Sequence, residues 1–193
     1  MKVLLTTSGI GSRLGDHTKY NNKSLVRVGD QSALSRIIEY YPKNTNFVIT
    51  LGHFGDYVKQ YLNITYPDRK FEFVWVKEYT GPKSSLGYSM LQAKSTLQEP
   101  FIFHACDTIL TKEDTLPALK RNWVAGSQKG NTSHYRTIKL NKNIVEGINE
   151  KGEISYDYVY IGVCGIKDYK LFWEELEKIQ NFANNIQPLG MDV

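Results

Sequence analysis

The chain is expected to be an α/β protein. The fold is a single-domain, three-layer sandwich on a mostly parallel, Rossmann-like sheet, with a smaller antiparallel part in the second half. Three observations lead there. The first 110 residues alternate short apolar runs with segments of helical periodicity, which is the signature of βαβ units. The first run ends in a glycine turn and the fourth in an aspartate. The second half changes to β-branched and aromatic runs joined by polar turns, closed by an amphipathic helix.

In order, Lys2 to Thr7 reads as a buried strand leading into glycines. Ser32 to Tyr41 carries Leu34, Ile37, Ile38 and Tyr41 at helical spacing and is closed by Pro42. Asn46 to Leu51 is a second strand, stopped by Gly52, and Asp56 to Leu62 is a helix with Tyr57, Val58, Tyr61 and Leu62 on its stripe. Lys70 to Lys77 is a third strand. Ser85 to Leu97 is a helix with Leu86, Met90, Ala93 and Leu97 on one face, and Pro100 to Ala105 is a fourth strand. Asn122 to Ser127, Arg136 to Ile148 and Tyr156 to Ile166 are β segments. Tyr169 to Phe182 is a helix expected to turn Leu171, Phe172, Leu176 and Ile179 inward.

At 193 residues the chain can bury one good core. The formal charge of +4, with its basic residues scattered, suits an anionic small molecule and lacks the clustered basic face that nucleic acid requires. Cys106 and Cys164 are far apart and match no metal-ligand spacing, so they read as buried thiols of a reducing, cytoplasmic compartment. No apolar stretch approaches the roughly 20 residues that span a bilayer, so no membrane partner is expected.

Chemistry is expected at the carboxyl ends of the strands, where α/β sheets bind ligands. Two glycines at i and i+2 in Ser8-Gly9-Ile10-Gly11-Ser12-Arg13-Leu14 let backbone N–H groups approach and cradle an anion. Arg13 and Lys23 add a guanidinium fork and a compact charge suited to phosphate oxygens. A bare glycine turn serves equally well as a structural βα connection with a solvated arginine. Asp107, at the end of a buried strand, reads evenly as a Mg²⁺ ligand or a helix N-cap. His104 reads as a buried, hydrogen-bonded core histidine, and Tyr156, Tyr158 and Tyr160 as packing residues on one strand face.

The segment MKVLLTTSGIGSRL, then Thr18, then NKSLVRVGD resembles the opening of the sugar-nucleotide pyrophosphorylases and related cytidylyltransferases. In that family a strand leads into A-A-G-x-G-[ST]-R-L, a Leu-Thr, and P-K-x-L-v-x-v-g. Gly9, Gly11, Ser12, Arg13, Leu14, Thr18, Lys23 and Leu25 fall on those positions. Thr7 and Ser8 stand for the two alanines, and Asn22 for the proline. GPKSSLGYSMLQA is similar to the family's base-closing segment, FIFHACDTIL to its strand ending in G-D-[NT], and VEGINEKGE and YIGVCGI to its later motifs.

The resemblance implies a nucleotidyltransferase that passes NMP from a nucleoside triphosphate to a phosphorylated small molecule. The acceptor would be a sugar 1-phosphate or another small phosphate such as phosphocholine, in a pathway of surface-polysaccharide precursors. It implies nucleotide contacts from Thr7, Ser8, Gly9, Ile10, Gly11, Ser12, Arg13, Lys23, Ser85, Leu86 and Gly87, with Arg13 and Lys23 catalytic. It further implies acceptor contacts from Glu150, Lys151 and Gly162, and a Mg²⁺ cofactor on Asp107 and on a second, late carboxylate, for which Asp192 is the candidate. Residues 1–110 would form the nucleotide half and 111–193 the acceptor half, with homo-oligomerisation open. A non-catalytic nucleotide-binding domain of the same fold is the alternative. A glycosyltransferase would show Asp-x-Asp, which the Thr108 and Ile109 that follow Asp107 do not supply. A dinucleotide-binding dehydrogenase would end its second strand in an acidic residue, where this chain has Leu51-Gly52-His53.

Overall fold

The structure, a computed structural model, describes residues 1–128, 130 and 132–186, without the side chains of 183–186. The expected alternation is present. Strand β1 (Lys2–Thr6) is followed by 3₁₀ turns at Ser12–Thr18 and Lys23–Leu25 and by a two-residue hairpin, β2 (Arg27–Val28) with β3 (Gln31–Ser32). Then come α1 (Ala33–Tyr40), β4 (Asn46–Leu51), α2 (Gly55–Thr65), β5 (Lys70–Trp75), α3 (Leu86–Gln92) and β6 (Phe101–Ala105). The second half is β7 (Trp123–Ser127), β8 (Thr137–Asn141), β9 (Ile144–Asn149), β10 (Tyr158–Ile166) and α4 (Tyr169–Ile186).

The main sheet runs β5-β4-β1-β6-β10-β8-β9, with β7 also paired to β10. The first four strands are parallel, with β1 central: Leu5 lies opposite both Ile49 and His104. β10 joins antiparallel, with Val163 opposite His104. The β8–β9 hairpin turns on Lys142 (φ 48°) and Asn143 (φ 67°), the pair of left-handed residues that a tight hairpin compatible with strand twist demands.

Two apolar layers enclose the sheet. One face packs Val3, Leu5, Phe47 and Ile49 against Leu34, Ile37 and Ile38 of α1 and Val58 and Leu62 of α2. The other packs Leu4, Val48, Phe101 and Phe103 against Met90 of α3, Ala93 at its end and Trp173 of α4. Trp173 stacks on Phe101 at 5.4 Å between ring centroids and donates its indole N–H to the Leu97 carbonyl. Helix α1 begins where the Ser32 hydroxyl accepts from the Ser35 N–H, as an N-cap serine should.

Some side chains expected in the core are outside it. Tyr57, Leu86, Leu171 and Ile179 are all more than half exposed. Along α1 the whole expected stripe, Leu34, Ile37, Ile38 and Tyr41, is buried, whereas α2, α3 and α4 meet the sheet along a narrower stripe than periodicity suggested, and on α4 the buried anchor is Trp173 rather than Leu171 or Ile179. Leu86 sits at the mouth of the cavity described next. Among the described residues no helix is long and apolar enough to cross a membrane.

Candidate functional site

The loop after β1 continues pairing with the end of β4: the Thr7 N–H donates to the Thr50 carbonyl and the His53 N–H to the Ser8 carbonyl. The chain then leaves the sheet through Gly9 and Gly11. Gly11 adopts φ 68°, and a Cβ there would lie 2.8 Å from Lys23 Cβ and 3.0 Å from Thr18 Cγ2. Only glycine satisfies both the left-handed backbone and that close approach. A Cβ on Gly9 would meet nothing within 4 Å, so Gly9 borders open space rather than protein.

Lys23 opens the second 3₁₀ turn, held by its neighbour. The Asn22 side chain is buried; its NH₂ donates to the carbonyls of Thr7 (2.8 Å) and His53 (2.6 Å), and its oxygen accepts from the Ser24 N–H (2.9 Å) and hydroxyl (2.8 Å). Lys23 Nζ then lies 3.1 Å from Asp107 Oδ2, just past the end of β6. Burial works to lower the Lys23 pKa, but its neighbours Cys106 and Asp107 outweigh it and hold it above the ordinary lysine value, with the Asp107 carboxylate the charged partner at neutral pH. Lys23 is therefore an ammonium at neutral pH. Cys106, wholly enclosed beside it, has its thiol pushed up to about 11, chiefly by burial, and stays protonated.

A cavity of about 260 Å³ opens at this edge of the sheet, bounded by Ser8, Gly9, Ile10, Lys23, Ser85 and Leu86, with Thr6, Tyr79, Ser84 and Ser89 completing the wall. It joins the glycine turn after β1 to the Ser85–Leu86 segment at the start of α3, while Asp107 lies outside its lining and reaches it only through Lys23. Ser8 and Ser89 are buried and joined by a 3.0 Å hydrogen bond. Ser85 caps α3, accepting from the Tyr88 N–H while donating to Gln180 of α4. Gly87 faces away, with Leu176 3.1 Å from where its Cβ would stand, so its smallness serves the contact between α3 and α4. Tyr79, Ser84 and Ser89 were not read from sequence. Tyr79 follows β5 by a few residues, and the strand-end rule could have found it.

Arg13 is exposed on the first 3₁₀ turn and makes no ion pair among the described residues. Gly162 (φ 80°) lies in the irregular stretch of β10 against the end of β6: its Cβ would stand 2.8 Å from Ala105 Cβ, and the Thr108 hydroxyl donates to the adjoining Ile161 carbonyl. Glu150 and Lys151 lie on the exposed outer turn after β9, and Glu150 is paired with Arg136 at 2.7 Å. Neither borders the cavity that holds Lys23. Asp192 lies outside the described residues. A larger, mostly apolar cleft of about 810 Å³, bounded by residues such as Trp123, Ile138, Ile144 and Phe172, contains none of the sequence-derived site residues.

His104 is a core residue, as its place inside a strand suggested. One ring nitrogen meets the Tyr41 hydroxyl at 2.8 Å and the other the Thr108 carbonyl at 2.9 Å. Burial lowers its pKa to about 4, so the ring is neutral, donating to Thr108 and accepting from Tyr41.

No family model matches the chain. A UDP-glucose pyrophosphorylase complexed with UDP-glucose superposes with a TM-score of 0.73 at 17% identity, over 90% of this chain and 79% of that one. The CTP:phosphocholine cytidylyltransferase of Streptococcus pneumoniae superposes with a TM-score of 0.71 at 20% identity, over 98% and 78%. In sequence, the bifunctional IPC transferase and DIPP synthase of Archaeoglobus fulgidus is 28% identical over 114 residues, 58% of this chain. The chain spans only 21% of that relative's length. The sheet order, the loop after β1 and these superpositions together show that the chain has the nucleotidyltransferase fold.

Proposed function

We propose that the chain transfers a nucleotidyl group from a nucleoside triphosphate to a phosphorylated small molecule. One observation carries the reading most: Lys23, an ammonium that lines the cavity with the Gly9–Ile10 turn, is approached closely by the obligate glycine Gly11 and pairs at 3.1 Å with Asp107, 84 residues further along the chain. That set of charges matches a polyphosphate, and the fold is shared with the pyrophosphorylase and the cytidylyltransferase named above.

On this reading a phosphate oxygen of the acceptor attacks the α-phosphorus. A new P–O bond forms, the bond to the β-phosphate bridging oxygen breaks, and pyrophosphate leaves with that electron pair. The nucleophile is already an anion, so no general base is required. The protein's work is to align two anions and offset the charge that develops. The N–H groups of the Gly9–Ser12 turn and the unpaired Arg13 would hold the outer phosphates. Lys23 would face the α-phosphate, and Ser8, Ser85, Leu86 and Ser89 would wall the nucleoside, with Tyr79 beside them. Residues 1–110 would form the nucleotide half and 111–193 the acceptor half, with Gly162 at its inner edge and Glu150 and Lys151 on the outer hairpin.

Among the described residues no group of three His, Cys, Asp or Glu gathers as a metal cage. A single exposed carboxylate beside a phosphate cradle still fits Mg²⁺, which takes one or two protein carboxylates and completes its shell with phosphate oxygens and water. Asp107 would hold it, and when bound the ion would neutralise phosphate charge. The surface-polysaccharide pathway and cytoplasmic location belong to the same proposal.

The test is pyrophosphate release from CTP, UTP, dTTP, GTP and ATP with Mg²⁺, against phosphorylated sugars, polyols and amino alcohols. Release with a matched pair, abolished in Asp107→Ala, supports transfer. Triphosphate binding without release from any pair would overturn it in favour of a non-catalytic binding domain.

A further inference from the structure

We infer that Asn22 is a positioning residue for Lys23: its buried side chain clamps the two strand-end loops together and so fixes the backbone from which the lysine reaches Asp107. The inference rests on the proposed role of Lys23.

Asn22 has 0% of its surface exposed. It spends both N–H bonds on the carbonyls of Thr7 and His53, which follow β1 and β4, and accepts twice from Ser24, on the far side of Lys23. An asparagine side chain has two donors and one acceptor oxygen, and here every one is used. The clamp therefore joins three separate segments at the residue next to Lys23. Two more bonds tighten the turn, from the Leu25 N–H to the Asn22 carbonyl and from the Val26 N–H to the Lys23 carbonyl. Lys23 is pressed from the other side by Gly11 and ends 3.1 Å from Asp107.

The backbone of Asn22, φ −75° and ψ 142°, lies within the range that proline adopts. Torsion alone could thus be supplied by Asn22→Pro, while the four side-chain bonds could not. This separates a clamp from a mere turn former.

The first test needs no activity. Trace acetylation of the folded protein with acetic anhydride, read by mass spectrometry, reports how freely each lysine amine moves and reacts. In the wild type Lys23 is expected to label several-fold more slowly than exposed Lys43. In Asn22→Ala the gap narrows several-fold, and in Asn22→Pro, the variant that keeps the backbone torsion, it narrows as well. An unchanged Lys23 rate in whichever of these variants folds overturns the clamp.

The second test uses turnover on a matched substrate pair. Asn22→Ala is expected to lower kcat by about tenfold or more while leaving KM for the triphosphate within about twofold, the pattern of a misplaced catalytic group. Added to Lys23→Ala it should cost nothing further, because it acts through the lysine. A full extra loss in the double variant overturns the positioning role. Wild-type turnover in Lys23→Ala would instead sink the proposed role of Lys23, and the labelling result would still judge the clamp.

Discussion

Lys23 and Asp107 form an ion pair at 3.1 Å although 84 residues of chain separate them. The lysine side chain is 21% exposed and the carboxylate 56%, so the pair borders solvent and is worth at most about 1 kcal/mol of stability. Its weakness as a brace would leave both charges free to exchange partners for the phosphate and cation of the proposed reaction.

Lys23→Ala and Asp107→Ala should therefore fold with denaturation midpoints close to wild type yet lose about 10²- to 10³-fold in turnover, the usual loss for one preorganised electrostatic contact. Chemical denaturation and pyrophosphate release on the same preparations check both halves. Turnover within twofold of wild type in either variant would remove that residue from the chemistry.

The two loop glycines should separate. Gly11→Ala forces a side chain into φ 68° and against Lys23, which should cost about 1–2 kcal/mol and lower kcat by displacing the lysine. Gly9→Ala meets open space and should leave stability within about 0.5 kcal/mol, acting only through bound phosphate. Equal destabilisation of the two variants would contradict this.

The buried His104 predicts a pH dependence of stability. Its pKa is lowered to about 4 in the fold and is about 6.5 in an unfolded chain. Between these values the unfolded chain binds a proton that the native state refuses, so stability rises with pH. The contribution is complete above pH ~6.5 and is lost as pH falls towards 4, on the order of 3 kcal/mol. Urea denaturation at pH 7 and 4.5, in wild type and His104→Gln, measures it; the same pH dependence in both would refute the assignment.

Trp173 anchors α4 by stacking on Phe101 and by its indole N–H bond to Leu97. Trp173→Ala should cost about 3–5 kcal/mol, whereas the exposed Ile179→Ala should be close to neutral. Thermal melts of the two variants decide whether the periodic stripe or the aromatic anchor holds the helix.

Much of this architecture is legible from periodicity and punctuation. The four parallel strands fall within two residues of their observed ends: β1, β4 and β6 are largely buried on both faces and read as unbroken apolar runs, while the part-exposed edge strand β5 alternates apolar with charged residues. The helical faces were harder. Leu86, Leu171 and Ile179 satisfy helical spacing, but spacing does not say how wide a stripe the sheet covers. The stretch from Ile10 to Gln31 gave no regular signal, being 3₁₀ turns and a two-residue hairpin held by individual bonds. Gly11, Lys23 and Asp107 were visible as residues of the right type at strand ends. The clamp on Lys23 was not, because Asn22 resembles any polar loop residue until Thr7 and His53 are brought to it.

The central place of β1 also bears on the order in which the protein assembles. β1 pairs with β4 across a separation of 44 residues and with β6 across 99, and neither partner adjoins it in sequence. A growing chain therefore holds an apolar first strand with one edge unsatisfied until β6 has been made. Long-range pairings of this kind are slow to nucleate, since the loop entropy is lost before the contacts form. The step that relieves that exposed edge is the docking of β6, which also carries Asp107 to Lys23. Covering the second edge of β1 and bringing Asp107 to Lys23 thus depend on the same docking step, and a nascent chain stalled before it would present β1 as a sticky edge for aggregation.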